Sequence, residues 1–495
     1  MKRFHGSRLP SSVFRLFFFS PAPLLHCSPA LLFLVLLALA FAGPIFSQQR
    51  WERKYGGLNT DEGQSVQQTT DGGYIVTGIT MSYGAGFEDV YLIKVNSSGD
   101  TLWTKTFGGT NYEEGHSVEQ TTDGGYIISG WTFSFGAGEC DVYLIKTNAS
   151  GDTLWTRTYG GADGDMGYSV QQTSDGGYII AGYTYSYGAG NCDVYLIKTN
   201  ASGDTLWTRT YGDTSADFSR SVQQTSDGGY VVVGRTDSFG NGIQVYLIKT
   251  NASGDTLWTR TYGGTNVDVA GSVQQTSDGG YIITGTTVSF TGNLNEVYLI
   301  KTDSSGDTLW TRTYGGSYYD DGRDVRQTSD GGYIICATTM SFGSGDVDVW
   351  LIKTNATGDT LWTRTYGGTN FDVGLSVRQT TDGGYVVAGS TSSFGDSCQV
   401  YLIKTDSLGR STGVEEKPCS RLTPYNSHLT PSPNPFASFT TIPGHSSKRF
   451  SLYDISGRKV GLYKGDRIGE ELSAGVYFLK PENGGAKPFR IVKLR

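Results

Sequence analysis

The tetrapeptide Asp-Gly-Gly-Tyr begins at Asp71, Asp123, Asp175, Asp227, Asp278, Asp330 and Asp382, in steps of 52, 52, 52, 51, 52 and 52 residues. Seven copies at so constant a period mean a repeat architecture, in which each unit is one supersecondary element that buries its apolar face only against its neighbours. This also answers the problem set by length. A chain of 495 residues exceeds what one compact core organises, but not what a series of stacked units does.

Within one unit the sequence predicts four strands, over 169–173, 178–184, 193–199 and 205–211, rich in Val, Ile, Tyr, Thr and Trp. Composition agrees: 70 Gly and 31 Tyr against 4 Met and 13 Pro suit short strands joined by glycine turns better than packed helices. Asp175-Gly176-Gly177 reads as a tight hairpin between the first two strands, and Asn200-Ala201-Ser202-Gly203-Asp204 as a longer one between the last two. The same turns create Asn-x-Ser/Thr sequons at Asn96, Asn148, Asn200, Asn251 and Asn355; turn chemistry accounts for these asparagines with no glycan.

Four antiparallel strands per unit and seven units predict an all-β fold, a seven-bladed β-propeller. Segment 51–57, Trp-Glu-Arg-Lys-Tyr-Gly-Gly, argues for this over an open solenoid. It is the end of a repeat placed before the first whole repeat, while the last unit stops at Thr405-Asp406 without its own Trp. A ring must join its ends, and an N-terminal strand that completes the seventh blade joins them. The recurring Trp103, Trp155, Trp207, Trp258, Trp310 and Trp362 follow the hairpin glycine by four residues on the outermost strand. This Gly-x-x-x-Trp pattern resembles the tryptophan docking motif of quinoprotein-type propellers. Those enzymes often add a vicinal cysteine pair, which is absent here, so no cofactor is expected.

Sequence variation among copies has a geography. The two hairpin turns of a blade share one face and are nearly uniform, whereas the opposite face differs between copies, as in 81–89, 185–193, 237–244 and 288–296. A Ser-Phe-Gly or Ser-Tyr-Gly aromatic recurs there and is expected to fold inward and seal its blade. The irregular Phe87, Trp131, Phe133, Tyr183 and Arg235 are the better candidates for binding a glycan or protein. One acid also recurs in the blade-to-blade connection: Asp61, Glu113, Asp165, Asp217, Asp268, Asp320 and Asp372. These carboxylates either ring the channel mouth and attract cations, or pair with backbone N–H groups or with the repeated cation at Arg53, Lys105, Arg157, Arg209, Arg260, Arg312 and Arg364. No full calcium-loop pattern occurs, and no metal site is expected. His116 has no recognisable Ser or Cys partner, so no catalytic residue is assigned.

The first residues read as an export signal over 1–47: Lys2, Arg3, Arg8 and Arg15 with no acid, an apolar run over 30–42, and a small-x-small site at Ala40-Phe41-Ala42. Thirteen apolar residues fall short of the roughly 20 that span a bilayer, so no retained transmembrane helix is expected. Without the leader the formal charge of −8 becomes −12, and an acidic body argues against a nucleic-acid partner. An odd set of cysteines, Cys140, Cys192, Cys336, Cys398 and Cys419, is not a disulfide framework.

The repeat ends near Arg410, which places the propeller at 48–410 and a polar linker at 411–430. Residues 431–495 alternate like the strands of a small β-sandwich and carry a basic excess, eleven Lys/Arg against five Asp/Glu. Pro-Asn-Pro-Phe ending at Phe436, Tyr-Asp-Ile-Ser-Gly-Arg ending at Arg458 and Ala-Gly-Val-Tyr-Phe ending at Phe478 fall in order. Together they resemble the C-terminal type A sorting domain of type IX secretion substrates. The resemblance implies recognition by the type IX machinery and a secreted or outer-surface location in a Gram-negative bacterium. The tail is an address only; the variable propeller face makes a binding or adhesion module the expected function, with a polysaccharide-acting enzyme or a structural surface-layer protein as the alternatives.

Overall fold

The computed structural model of the chain describes residues 48–290, 294–395, 397–413, 449–454, 458–464, 467–468, 470–481 and 489–493. The expected signal 1–47, the linker beyond residue 413 and the 431–436 motif lie outside the described residues. Two compact units divide between Glu415 and Glu416. Among the described residues no helix is long and apolar enough to cross a membrane.

The first unit is a seven-bladed β-propeller. Each blade is a four-stranded antiparallel sheet in sequence order, for example Asp165–Gln172, Tyr178–Thr184, Asp193–Thr199 and Thr205–Tyr211. The innermost strands touch one another in a closed cycle. Ring closure is as the sequence suggests: Trp51–Tyr55 pairs antiparallel with Gln399–Thr405, from Trp51 opposite Lys404 to Tyr55 opposite Val400. The second and third strands of each blade are buried almost throughout because neighbouring blades cover both faces, which explains their unbroken apolar runs. The core is therefore distributed. Val194, Leu196 and Tyr211 of one blade pack with Val222, Tyr230 and Val232 of the next, and the same set recurs around the ring.

The repeated motifs are the hardware of this packing. Asp71 accepts hydrogen bonds from Thr69 Oγ1, Gly73 N and Lys94 Nζ, and so fixes the first hairpin and neutralises a buried lysine at once. Partial burial alone would raise its pKa, but those donors outweigh it and hold the carboxyl down at about 2. Asn200 Oδ1 accepts from Ser202 N and Asp204 N at 2.9 Å, so the sequon asparagine shapes the second hairpin. Each docking Trp lies on the next blade: Trp155 packs edge-on to Tyr178 within its own interface, and its ring fills the space above Gly203. Tyr159 donates to Gly203 O at 2.6 Å beside it. Cys140, Cys192, Cys336 and Cys398 are free thiols.

Of the expected C-terminal sandwich, the described residues form one four-stranded antiparallel sheet. Lys459–Lys464, Arg449–Asp454, Gly475–Pro481 and Phe489–Lys493 lie in that order. Phe450, Leu452, Leu479 and Ile491 pack with Ile468 as its small core.

Candidate functional site

The recurring acids begin the innermost strands and are fully buried, each at 0% exposure. Asp61 accepts from Thr80 Oγ1, from Ser82 Oγ at 2.7 Å and from Gly57 N at 2.7 Å. Glu113 takes Thr132 Oγ1, Ser134 N and Gly109 N in the same way. Asp165, Asp217, Asp268, Asp320 and Asp372 each hold the equivalent serine hydroxyl and loop N–H. The set ties each blade's inner strand to the connection before it and to the turn after the second strand, and offers no open ring to a cation. The repeated basic residue does not pair with it. It reaches the next blade's second hairpin instead, as in Lys105–Asp152 at 2.9 Å and Arg157–Asp204 at 3.6 Å.

What does face the channel mouth follows from a β-bulge. In every blade the pairing of the first two strands shifts just after the third inner-strand residue, for example between Gly167 and Ser169. The extra residue turns toward the axis. Those seven residues are Gln64, His116, Tyr168, Arg220, Gly271, Arg323 and Leu375, and all line one bowl of about 380 Å³. Two further positions differ between blades and lie beside it: the second inner-strand residue and the second-strand residue paired with it. Glu114 is opposite Trp131, Met166 opposite Tyr183, and Phe218 opposite Arg235. Besides the variable loops, the strands of the repeat thus diverge most at three positions per blade that converge on one end of the channel.

The bowl joins a run of aromatic rings to charges of both signs. From the rim inward runs a chain of ring contacts: Phe87 stacks on Tyr112 at 5.3 Å, Tyr112 meets Phe133 at 6.4 Å, and Phe133 meets Trp131 at 5.4 Å. Trp131 Nε1 donates to His116 Nε2 at 3.1 Å, and His116 lies 4.5 Å from Tyr168. Tyr168 stacks on Tyr183 at 5.5 Å, and Tyr183 meets Phe218 at 4.8 Å. Arg220 lies 4.2 Å over the Tyr168 ring and Arg235 4.3 Å over Phe218. Acids lie beside these same aromatics: Glu114 is paired with Trp131, and Glu88 bridges to Tyr112. Burial and then the charge of Glu114 push Glu62 above the usual carboxylate range, and burial followed by Glu114 and Glu62 does the same to Glu88. Glu114 Oε2 is also 3.1 Å from His116 Nε2, which cannot donate to Glu114 while it accepts from Trp131.

Among the sequence candidates, Tyr183 and Arg235 line the bowl directly. Trp131 stands behind it at 8% exposure, holding His116, while Phe133 and Phe87 form the exposed rim at 42% and 63%. The recurring Ser-Phe-Gly aromatics each pack on their own blade's third strand, as Phe135 does on Tyr143 at 5.8 Å, but five of the seven stay 42–56% exposed, so they cover the blade ends and do not fold inward. Sequence reasoning missed Gln64, Tyr168, Arg220 and Arg323, and set His116 aside. Aligning the seven copies at the residue before the Ser-Val or Asp-Val pair would have exposed them.

No family model matches the chain. An alignment of 134 positions that covers 24% of the chain is 28% identical to the regulatory protein FlaEY of Caulobacter vibrioides, and the chain spans 14% of that protein's length. Solved structures similar to it include Sqt1 from Chaetomium thermophilum, at 11% identity and a TM-score of 0.42 over 73% of this chain and 100% of that one. The Pan2 WD40 domain of Neurospora crassa gives 9% identity and a TM-score of 0.43 over 75% and 94%. YCF48 bound to D1 peptide gives 9% and 0.41 over 74% and 99%. The propeller assignment itself rests on the strand pairing described above.

Proposed function

We propose that the protein is a secreted or cell-surface binding and adhesion propeller that takes its ligand in the bowl at the channel mouth. The observation that carries this reading is the divergence of the blade strands at three positions per blade in or beside that bowl. Architecture alone does not require six kinds of side chain at the seven bulges, whereas a ligand without sevenfold symmetry does. Export rests on the leader over 1–47 and on the resemblance of 431–495 to type A sorting domains, whose partner is the type IX machinery. A Gram-negative outer surface or the medium is the corresponding location.

A glycan and protein array probed with the full exported chain and with Tyr168→Ala tests the reading. At least one ligand is expected to bind the wild type and lose about tenfold or more with Tyr168→Ala, since aromatic anchors at the centre of a site carry most of the affinity. Ligands that bind both proteins equally would remove the bowl from the function. A second reading, a polysaccharide-acting enzyme, is favoured by one observation: Glu62 sits beside a second carboxylate with its pKa raised, as a general acid requires. Turnover of an array hit, abolished by Glu62→Gln, would replace binding with catalysis.

A further inference from the structure

The charge pattern of the bowl points beyond binding in general to one ligand chemistry. Arg220 is exposed at the mouth and lies over the Tyr168 ring, with no carboxylate within pairing distance among the described residues. Its neighbours in charge are engaged, Arg235 with Asp237 at 3.9 Å and Arg323 with Asp321 at 3.6 Å. A guanidinium held on an aromatic face keeps its planar fork free, and that fork matches a carboxylate in two parallel hydrogen bonds. Meanwhile Glu62, Glu114 and Asp321 border the bowl beside its lining residues Gln64, His116 and Arg323, at 3.4, 3.1 and 3.6 Å, and they are hydrogen-bond acceptors that would repel a densely charged anion. A fitting ligand has one negative charge, many hydroxyl donors and flat apolar faces.

We infer that the bowl binds a carboxylated oligosaccharide, with the carboxylate of one sugar on Arg220. This rests on the binding reading above and names its ligand class. Sugar rings present C–H faces to Tyr168 and Tyr183 and hydroxyl donors to Glu62 and Glu114. The aromatic run that leaves the bowl through Phe133 and Phe87 continues the platform for further residues of the chain. The cavity of about 380 Å³ is of the size that holds a small ligand, roughly 300–1,000 Å³.

Titration calorimetry on the full chain, with a trisaccharide carrying a single galacturonate, one carrying a single glucuronate, the methyl ester of the first and a neutral trisaccharide, tests this. At least one acid is expected to bind, with its ester or the neutral trisaccharide about tenfold or more weaker. Arg220→Gln is expected to weaken the acid to the level of the neutral probes without changing them, and added salt to weaken the acid selectively. Retained binding of the acid by Arg220→Gln, or equal binding of acid and ester, overturns the inference while leaving the bowl as the site if Tyr168→Ala still abolishes it. An acidic peptide that binds through Tyr168 where no oligosaccharide does also overturns it. Loss of every Tyr168-dependent ligand overturns the broader reading as well.

Discussion

Asp324 stands where the six other blades carry Ser, and Arg326 and Arg378 stand where four carry Gln and one Glu. The three departures belong together, deep in the channel below the bowl. Asp324 accepts from Ser272 Oγ at 2.8 Å and Val377 N at 3.0 Å, and pairs with Arg326 at 3.3 Å and with Arg378. Burial alone would raise its pKa, yet the two guanidinium charges outweigh that and hold it low; Arg326 itself is brought to about 10, by burial first and then by Arg378. Removing one partner of such a group is far costlier than removing all of it. Asp324→Ser alone is expected to cost about 1–3 kcal/mol, because it leaves two half-buried cations facing each other. The triple change Asp324→Ser, Arg326→Gln, Arg378→Gln is expected to return to within about 1 kcal/mol of the wild type by restoring the repeat's own bonding. In that bonding Gln67 Oε1 accepts from Gln120 N of the next blade, and Gln171 from Gln224 N. Urea unfolding of the two variants decides the matter, and a single mutant as stable as the wild type would sink the argument.

At the scale of the element, the two hairpin glycines separate backbone strain from blade docking. Gly176 and Gly203 both have positive φ, 83° and 79°. A Cβ on Gly176 meets nothing within 4 Å, but one on Gly203 comes within 2.8 Å of the Trp155 ring. Gly176→Ala is expected to cost about 1–2 kcal/mol from left-handed backbone alone. Gly203→Ala is expected to cost about 2 kcal/mol more than that, since the indole must leave its seat. Thermal unfolding of the pair checks this, and equal losses would mean that the Trp contact holds nothing. Three strands of this blade were legible to the residue, because uninterrupted runs such as Tyr178–Thr184 and Asp193–Thr199 end at glycine turns. The inner strand was not. It begins at Asp165 where alternation suggested residue 169, because Gly167 has poor strand propensity and the bulge at Tyr168 breaks the period of two. A strand expected only from residue 169 leaves Met166 and Tyr168 in the blade-to-blade connection. Tyr183 and Arg235 were recognised because they are odd residues in strands whose period is intact.

For the whole molecule, closure depends on five residues that touch both ends of the ring. Trp51–Tyr55 supplies the outer strand of the seventh blade, while Trp51 docks on the first: its indole donates to Ser97 O at 3.0 Å and meets Tyr74 at 5.7 Å. Tyr55 donates to Gly99 O at 2.7 Å beside it. Without this strand, Gln399–Thr405 becomes an edge whose Val400, Leu402 and Ile403 are wholly apolar, the kind of edge that natural sheets avoid exposing. Removal of 48–57 is therefore expected to lower the melting temperature by about 10 °C or more, several kcal/mol at the roughly 2–4 °C per kcal/mol of large domains, and to promote association through the open edge. Trp51→Ala is expected to fall between truncation and wild type, because it keeps the ladder and loses the dock. A peptide of residues 48–57 added to the truncated chain should raise its melting temperature in proportion to occupancy. Melting of truncated and intact chains at the same temperature would refute closure by this strand. The bowl adds an independent readout, because Gln64 of the first blade and Leu375 of the seventh meet there. If closure is what holds the mouth, ligand affinity is lost on truncation and regained with the peptide.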